Sequence, residues 1–334
     1  NAQTYKNECF AIALVAICGI VYVKGRRRNY VIAHAFIGSV RELFQSQFLQ
    51  SGAGMEDPPS DGRQILFRES CSDFLFYATG RKGCDGVLVR IDLIERQDLV
   101  MLVWGLLTPA QDTVTLEVAL DDGDIEPMVF AVTRKRNVKK VLSEIPHLKD
   151  FAGAVEASEL PEGLICLSEN ASLVEPLLPP VVLKTLGRTE GNLLQLMHFT
   201  DQNELPVVGQ MEKPKKVLRF RFRLPASSRP EDMNGVAKIV EMALFYIDFL
   251  HRFKMSPGMK KKVIDKREVV AKQKLRMTRV ERQERTKQLK EQKLQQERDE
   301  YELLSTAQKK KRDMRDEKRA KKALKGRKSK VTKT

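Results

Sequence analysis

The residues with the most chemistry to offer are cations, and they are gathered at one end of the chain. From Gly258 to Thr334 there are 29 Lys and Arg against 12 Asp and Glu, a local balance of +17. The whole 334-residue chain carries +15, so the remainder is near neutral at −2. Ammonium and guanidinium groups in that excess bind polyanions. The candidate contacts are Lys260, Lys261, Lys262, Arg276, Arg279, Lys309, Lys310, Lys311, Arg312, Arg315, Lys318, Arg319, Lys321, Lys322, Lys325, Arg327 and Lys328. Tyr301 is the aromatic residue of this segment, so base stacking is not expected. Binding would run through phosphate backbone by counterion release. A solvated charge run with no partner is the plain alternative, and the surplus of bases weighs against it.

Other groups do not assemble into a catalytic pattern. Gly80 to Gly86 lacks both the GxGxxG spacing and the Walker lysine, and it lies between two strands, so it reads as a hairpin turn. His34, His147, His198 and His251 are far apart, with no HExxH, and read as core or surface histidines. Asp121, Asp122, Gly123 and Asp124 supply too few oxygen donors for an EF-hand. Cys9, Cys18, Cys71, Cys84 and Cys166 show no CxxC spacing; two lie in an apolar run, and the other three, odd in number and scattered, suit reduced cytosolic thiols better than a disulfide framework. No GxSxG, Cys/His pair or kinase signature is present. The reading is non-enzymatic, with no metal and no cofactor.

The elements that must position the cations begin at the other end. Cys9 to Val23 is an uncharged, mostly apolar run followed by Lys24, Arg26, Arg27 and Arg28. Fifteen residues are short for a bilayer span, which needs about 17–25. Tyr5, Lys6 and Lys24 can reach the interfaces and extend it to Thr4–Lys24, enough for a thin bilayer. A buried core helix is the alternative. A signal peptide would place its basic residues before the apolar run. Under the positive-inside rule Arg26–Arg28, and all that follows, are cytosolic. The chain opens on Asn1 without a Met, so the expectation is a truncated or processed N-terminus. Residues 1–28 are thus read as lumenal stub, span and stop-transfer cluster, 29–255 as a folded domain, and 256–334 as a basic helical arm.

Within 29–255 the pattern is α+β with mainly antiparallel strands. Tyr30–Leu49 reads as an amphipathic helix and Ser51–Arg63 as a loop. Ile65–Phe67, Phe74–Thr79 and Val87–Ile94 read as strands, and Gln97–Leu107 as a helix. Thr113–Leu120 alternates strictly, with Met128–Val132 as the return strand of a hairpin. Asn137–Phe151 reads as one helix, Leu164–Leu167 as a strand, and Val174–Leu196 as proline-broken helix. In Val217–Leu224, Leu218, Phe220, Phe222 and Leu224 face one way and Arg219, Arg221 and Arg223 the other. That arginine face fits the solvent side of an edge strand, or a partner-binding face. Pro230–Phe253 closes the domain as a helix, its Pro and acids placed for an N-terminus.

Ser256, Pro257 and Gly258 break the chain before the arm. Met259–Lys325 has no Pro or Gly and is rich in helix formers. A continuous helix there would run about 100 Å at 1.5 Å per residue. Val280, Leu294 and Tyr301 share a heptad position with Lys287 and Gln308, while Leu275, Leu289 and Leu303 alternate with Arg282 and Gln296. That is half a coiled-coil seam, and it favours a single charged helix lying on a surface.

This order of span, basic cluster, α/β domain and charged terminal helix resembles the calumin family, the coiled-coil-domain-containing subunit of the PAT complex at the endoplasmic reticulum (ER) translocon. The likeness is carried by Val40-Arg41-Glu42-Leu43, Gly80-Arg81 through Gly86 with Glu95-Arg96-Gln97-Asp98-Leu99, and Phe130-Ala131-Val132. It continues in Leu160-Pro161, Leu167-Ser168-Glu169, His198-Phe199-Thr200-Asp201-Gln202 and Val280-Glu281-Arg282-Gln283-Glu284. The resemblance implies an insertion factor or chaperone for nascent multi-pass membrane proteins, bound to the ribosome through rRNA and to the Sec61 channel, with an Asterix-like small membrane protein as partner. It implies residence in the ER membrane as a single-pass protein. The family's acidic lumenal segment is linked to calcium, but only Asn1–Glu8 stands on that side here, so calcium is not carried over. A tether holding anionic lipids through its basic helix is the rival reading.

Overall fold

The computed structural model describes residues 2–52, 66–108, 110–121, 123, 125–202, 216–225, 227 and 229–302, with 310, 313–315, 317, 318 and 321 beyond them. The expected loop at Ser51–Arg63 falls mostly outside these residues, as do Ile65, Asp122, Asp124, Leu303 and Gln308. The chain divides into two compact units, Asn1–Glu268 and Val269–Thr334.

In the first unit the apolar run and the amphipathic run form one continuous helix, α1 (Ala2–Gln47). No Pro lies between them, and Gly25, which could end a helix, is carried within it. Its first half has apolar side chains exposed, including Phe10, Ile12, Val15, Ile20 and Val23. Only 6% of its most apolar window is buried, which sets the core-helix alternative aside. In its second half Ile32, Phe36, Val40 and Phe44 are fully buried at three-to-four spacing.

Among the described residues ten strands form one sheet in which the pairings are antiparallel. They are β1 (Gln50–Ser51), β2 (Phe67–Arg68), β3 (Asp73–Thr79), β4 (Cys84–Asp92), β5 (Thr113–Leu120), β6 (Phe130–Arg134), β7 (Gly153–Val155), β8 (Leu164–Ser168), β9 (Leu194–Thr200) and β10 (Val217–Arg223). The order is β1-β3-β4-β5-β10-β9-β6-β8-β7, with β2 beside β3. The helices are α2 (Leu99–Leu107), α3 (Val138–Glu144), α4 (Pro146–Phe151), α5 (Val174–Leu177), α6 (Pro180–Leu186), α7 (Pro230–Arg252) and α8 (Pro257–Glu302).

The core lies where α1 and α7 cover one sheet face. Phe36 meets Phe222 at 6.2 Å between ring centroids, Phe44 meets Phe76 at 5.0 Å, and Tyr246 of α7 meets Phe220 at 6.0 Å. The β3–β4 connection is the expected hairpin turn, with Gly80 and Gly83 at φ 88° and 92°.

Four expectations are corrected. β6 is not the hairpin partner of β5; it lies between β8 and β9. Phe130–Thr133 are all buried, and a strand buried on both faces belongs in the sheet interior. The helix expected over Asn137–Phe151 breaks at Ile145 (φ −123°, ψ 85°), because Pro146 disfavours helical backbone at the residue before it. Leu194–Leu196, read as helix, opens β9. The arginine strand β10 is central, between β5 and β9, and not an edge. Its arginines are accommodated by pairing: Arg219 Nε to Glu117 Oε1 at 2.7 Å, Arg221 to Glu144 Oε2 at 2.6 Å, and Arg223 donating to the Asn192 carbonyl at 2.7 Å.

Candidate functional site

Cations mark two places in the structure. The first is the point where α1 leaves its exposed apolar half. Lys24, Arg26, Arg27 and Arg28 are exposed, while Gly25 and Asn29 between and beside them are buried. The Asn29 amide donates to the carbonyls of Ile94 (3.0 Å) and Cys71 (3.2 Å), and its oxygen accepts from Arg96 at 2.9 Å. Arg96 is in turn held by both carboxylate oxygens of buried Asp112, at 2.9 and 2.6 Å. Asp112 also accepts the Ile94 N–H at 2.9 Å. The loop before α2 is therefore bolted to α1 at the basic cluster.

The second is the start of α8. Pro257 opens this helix, and its first three turns belong to the first unit. Lys260 pairs with Glu126 at 2.7 Å, and Lys266 donates to the Glu169 carbonyl at 3.0 Å. Arg267 is bound bidentately by Glu169, at 2.8 and 2.9 Å, and by Asp201, at 2.7 and 2.9 Å. Its guanidinium also lies 6.0 Å over the Phe151 ring. Burial by itself would lower the pKa of Arg267, but the hydrogen bonds it donates to the two carboxylates outweigh it and raise the pKa further above its ordinary value. Val263, 3% exposed, is buried beside it in the core.

Of the candidate polyanion contacts, Lys260 is thus engaged within the fold. Lys261, Lys262, Arg276, Arg279, Lys310, Arg315 and Lys318 are exposed, and Lys321 is exposed beside Glu317 at 2.6 Å. Lys309, Lys311, Arg312, Arg319, Lys322, Lys325, Arg327 and Lys328 lie outside the described residues. In the second unit Leu275, Val280 and Leu289 of the half-seam are exposed.

Two groupings escaped sequence reading. Glu169 and Asp201 stand at the ends of strands, inside two of the quoted motif stretches, and only the fold brings Arg267 to both. His147 and His198, 51 positions apart, meet at 3.1 Å between Nε2 atoms with stacked rings. Burial, followed by the neighbouring His147 and Arg219, holds the His198 pKa well below 6.5. The thiols of Cys84 and Cys166 are pushed up to about 11 and about 12 by burial, which makes them poor nucleophiles. Among the described residues no cluster of three or more His, Cys, Asp or Glu is placed to hold a metal ion. The groove of about 430 Å³ over the polar sheet face is lined by Arg90, Glu117, Glu144, Arg219 and Arg221, where Arg219 pairs with Glu117 of β5 and Arg221 with Glu144 of α3.

A family model described as PAT complex subunit CCDC47 matches residues 4–323, taking in α1, the sheet and the basic segment together. The chain belongs to the CCDC47 family. CCDC47 of Mus musculus is 25% identical over 292 residues, covering 82% of this chain and 60% of that protein. CCDC47 of Xenopus laevis is 27% identical over 294 residues with the same coverage. An uncharacterized Arabidopsis thaliana protein is 29% identical over 290 residues, 81% of this chain and 57% of its own length. The chain therefore spans about three-fifths of the length of the curated CCDC47 relatives it matches. The crystal structure of the mycobacterial trehalose monomycolate transport factor A superposes with a TM-score of 0.30 at 10% identity, over 68% of this chain and 98% of that one, too slight a likeness to carry an argument.

Proposed function

We propose that this chain is a non-enzymatic subunit of a PAT-type complex in the ER membrane, where it helps to build multi-pass membrane proteins at the ribosome–translocon. The observation that carries the reading is the family match across residues 4–323. α1 crosses the membrane once, with Asn1 lumenal and Arg26–Arg28 on the cytosolic side. The sheet domain then lies in the cytosol as a docking platform for the Sec61 channel and an Asterix-like small membrane protein. Residues 269–334, with 24 Lys and Arg against 10 Asp and Glu, contact rRNA phosphates.

Ribosome co-sedimentation tests the last step. A chain ending at Glu268 keeps Arg267 on Glu169 and Asp201 and so preserves the body. It should lose most of its ribosome binding relative to the full chain. Undiminished binding would overturn the ribosomal role of 269–334, and binding of that segment to anionic liposomes alone would favour the lipid tether. Protease added to sealed microsomes should digest the chain beyond Asn29; full protection would reverse the topology.

A further inference from the structure

Helix α2 reads Leu-Val-Met-Leu-Val-Trp-Gly-Leu-Leu, nine residues without a polar side chain. Such a helix is expected to be buried. Here Val100 is 73% exposed, Val103 and Trp104 59%, and Leu107 75%. At 100° per residue these positions, with exposed Met101 and Leu102, surround the helix. It is not pressed onto the core either: a groove of about 290 Å³, lined by Leu93, Ile94, Met101, Trp104 and Ala110, separates it from the sheet.

Its location is set independently. The loop leading into α2 crosses α1 at Gly25, so closely that a Cβ there would fall 2.1 Å from the Arg96 carbonyl oxygen and 2.5 Å from the Gln97 nitrogen. Only glycine permits that approach. Gly25 lies between Lys24 and Arg26, where the exposed apolar half of α1 ends. Asp98 follows one residue later and caps α2, accepting from the Val100 and Met101 amides at 2.8 and 3.4 Å. At about 14 Å for nine residues, no part of α2 can lie far from the level at which α1 leaves its apolar half. At the other end Thr108 donates from both its backbone N–H (3.0 Å) and its hydroxyl (3.1 Å) to the Trp104 carbonyl. The carbonyls of the last turn that follow call for water, which the headgroup layer supplies and the acyl interior does not.

We propose that α2 is a second membrane contact, inserted at the headgroup–acyl boundary of the leaflet through which α1 leaves the bilayer. Continuity with α1 selects lipid as the occupant. The surface of α2 extends the apolar surface of the span at the same depth, beside exposed Lys24 and Arg26–Arg28, which suit a phosphate headgroup layer. Trp104 is placed where an indole favours the interface. A span and a short inserted helix, bolted together through Asn29 and Arg96, would fix the orientation of the sheet domain against the membrane, which a single span leaves free to swivel. The inference rests on α1 entering the bilayer and is independent of ribosome binding.

Trp104 is the chain's single tryptophan, so it reports on α2 without engineering. The full chain is reconstituted into phosphatidylcholine vesicles, with or without bromine on the acyl chains, and floated. Trp104 should lose most of its emission in the brominated vesicles and be shielded from acrylamide in the water. A Trp104→Phe, Tyr77→Trp chain moves the probe to an exposed position on β3; its emission should resist brominated lipid and be quenched by acrylamide. Trp104 quenched by acrylamide and not by bromine would overturn the proposal. Shielding from both quenchers would also overturn it, placing α2 against protein, such as a second copy. A chain that fails to float with the vesicles would remove the span and this contact with it.

Discussion

Arg267 and Glu169, 98 positions apart in sequence, face each other in a two-point hydrogen-bonded pair at 2.8 and 2.9 Å. The Glu169 side chain is fully buried and its Oε2 also accepts the Val129 N–H at 2.8 Å. Asp201 takes the other edge of the same guanidinium. One arginine on the third turn of α8 thus holds two carboxylates at the ends of β8 and β9. The start of the basic helix is built into the body, not tethered to it.

Arg267→Ala should therefore cost about 3–5 kcal/mol, since it strands a buried carboxylate. Arg267→Lys should recover only part, because an ammonium cannot present two parallel donors to each partner. Denaturant unfolding of the full chain in detergent measures both. A loss below about 1 kcal/mol for the alanine variant would show that the clamp contributes little.

The two faces of β10 should respond unequally. Phe220 is fully buried against Tyr246, so Phe220→Ala should cost about 3–5 kcal/mol by lost burial and cavity formation. Arg221 is partly exposed and paired with Glu144, and its alanine variant should cost about 0.2–1 kcal/mol. Equal losses in matched unfolding curves would contradict this register.

The buried His147–His198 pair makes the body acid-sensitive. The His198 pKa lies well below 6.5 in the folded chain and returns towards 6.5 on unfolding. Above pH 6.5 both states are neutral and its contribution is constant. As pH falls below about 6.5 the unfolded state takes up the proton first, so stability is lost, at up to about 1.4 kcal/mol per pH unit. Unfolding free energies measured from pH 7.5 to pH 5 should show this slope, and His198→Gln should flatten it. A slope unchanged by the substitution would assign the acid sensitivity to other groups.

The proposed rRNA contact predicts a salt signature. Each phosphate contact removed should flatten the plot of log affinity against log salt by about 0.7–0.9. Replacing Lys309, Lys310, Lys311 and Arg312 by Gln removes four charges at similar helix propensity, so the slope should fall by up to about three units. Co-sedimentation across a salt series reads this directly. Unchanged affinity and slope would remove this cluster from the contact.

What the sequence by itself determined are the features written into neighbouring residues. Leu218, Phe220 and Phe222 alternate with three arginines, so β10 was legible as a strand with one buried face. The apolar run before Lys24 and the segregation of cations after Gly258 are likewise local composition. The motif stretches pointed to the family that the match over residues 4–323 confirms. Tertiary structure alone decided what depends on distant partners. Turn chemistry after Leu120 suggested a hairpin, yet β6 lies beside β8 and β9, because a strand with both faces apolar is stabilised only with covering on both sides. The arginine face suggested an edge, yet it is central, because Glu117 and Glu144 are brought across to pair with it. Gln97–Leu107 read as an ordinary helix, and its exposure on all sides became visible only with the loop bolted to Gly25 and Asn29. Arg267 was one cation among 29 until β8 and β9 placed Glu169 and Asp201 on either side of it. Periodicity reports which side of an element is apolar, but it does not say what will cover that side. That choice is made by burial and charge pairing summed over residues far apart in the chain.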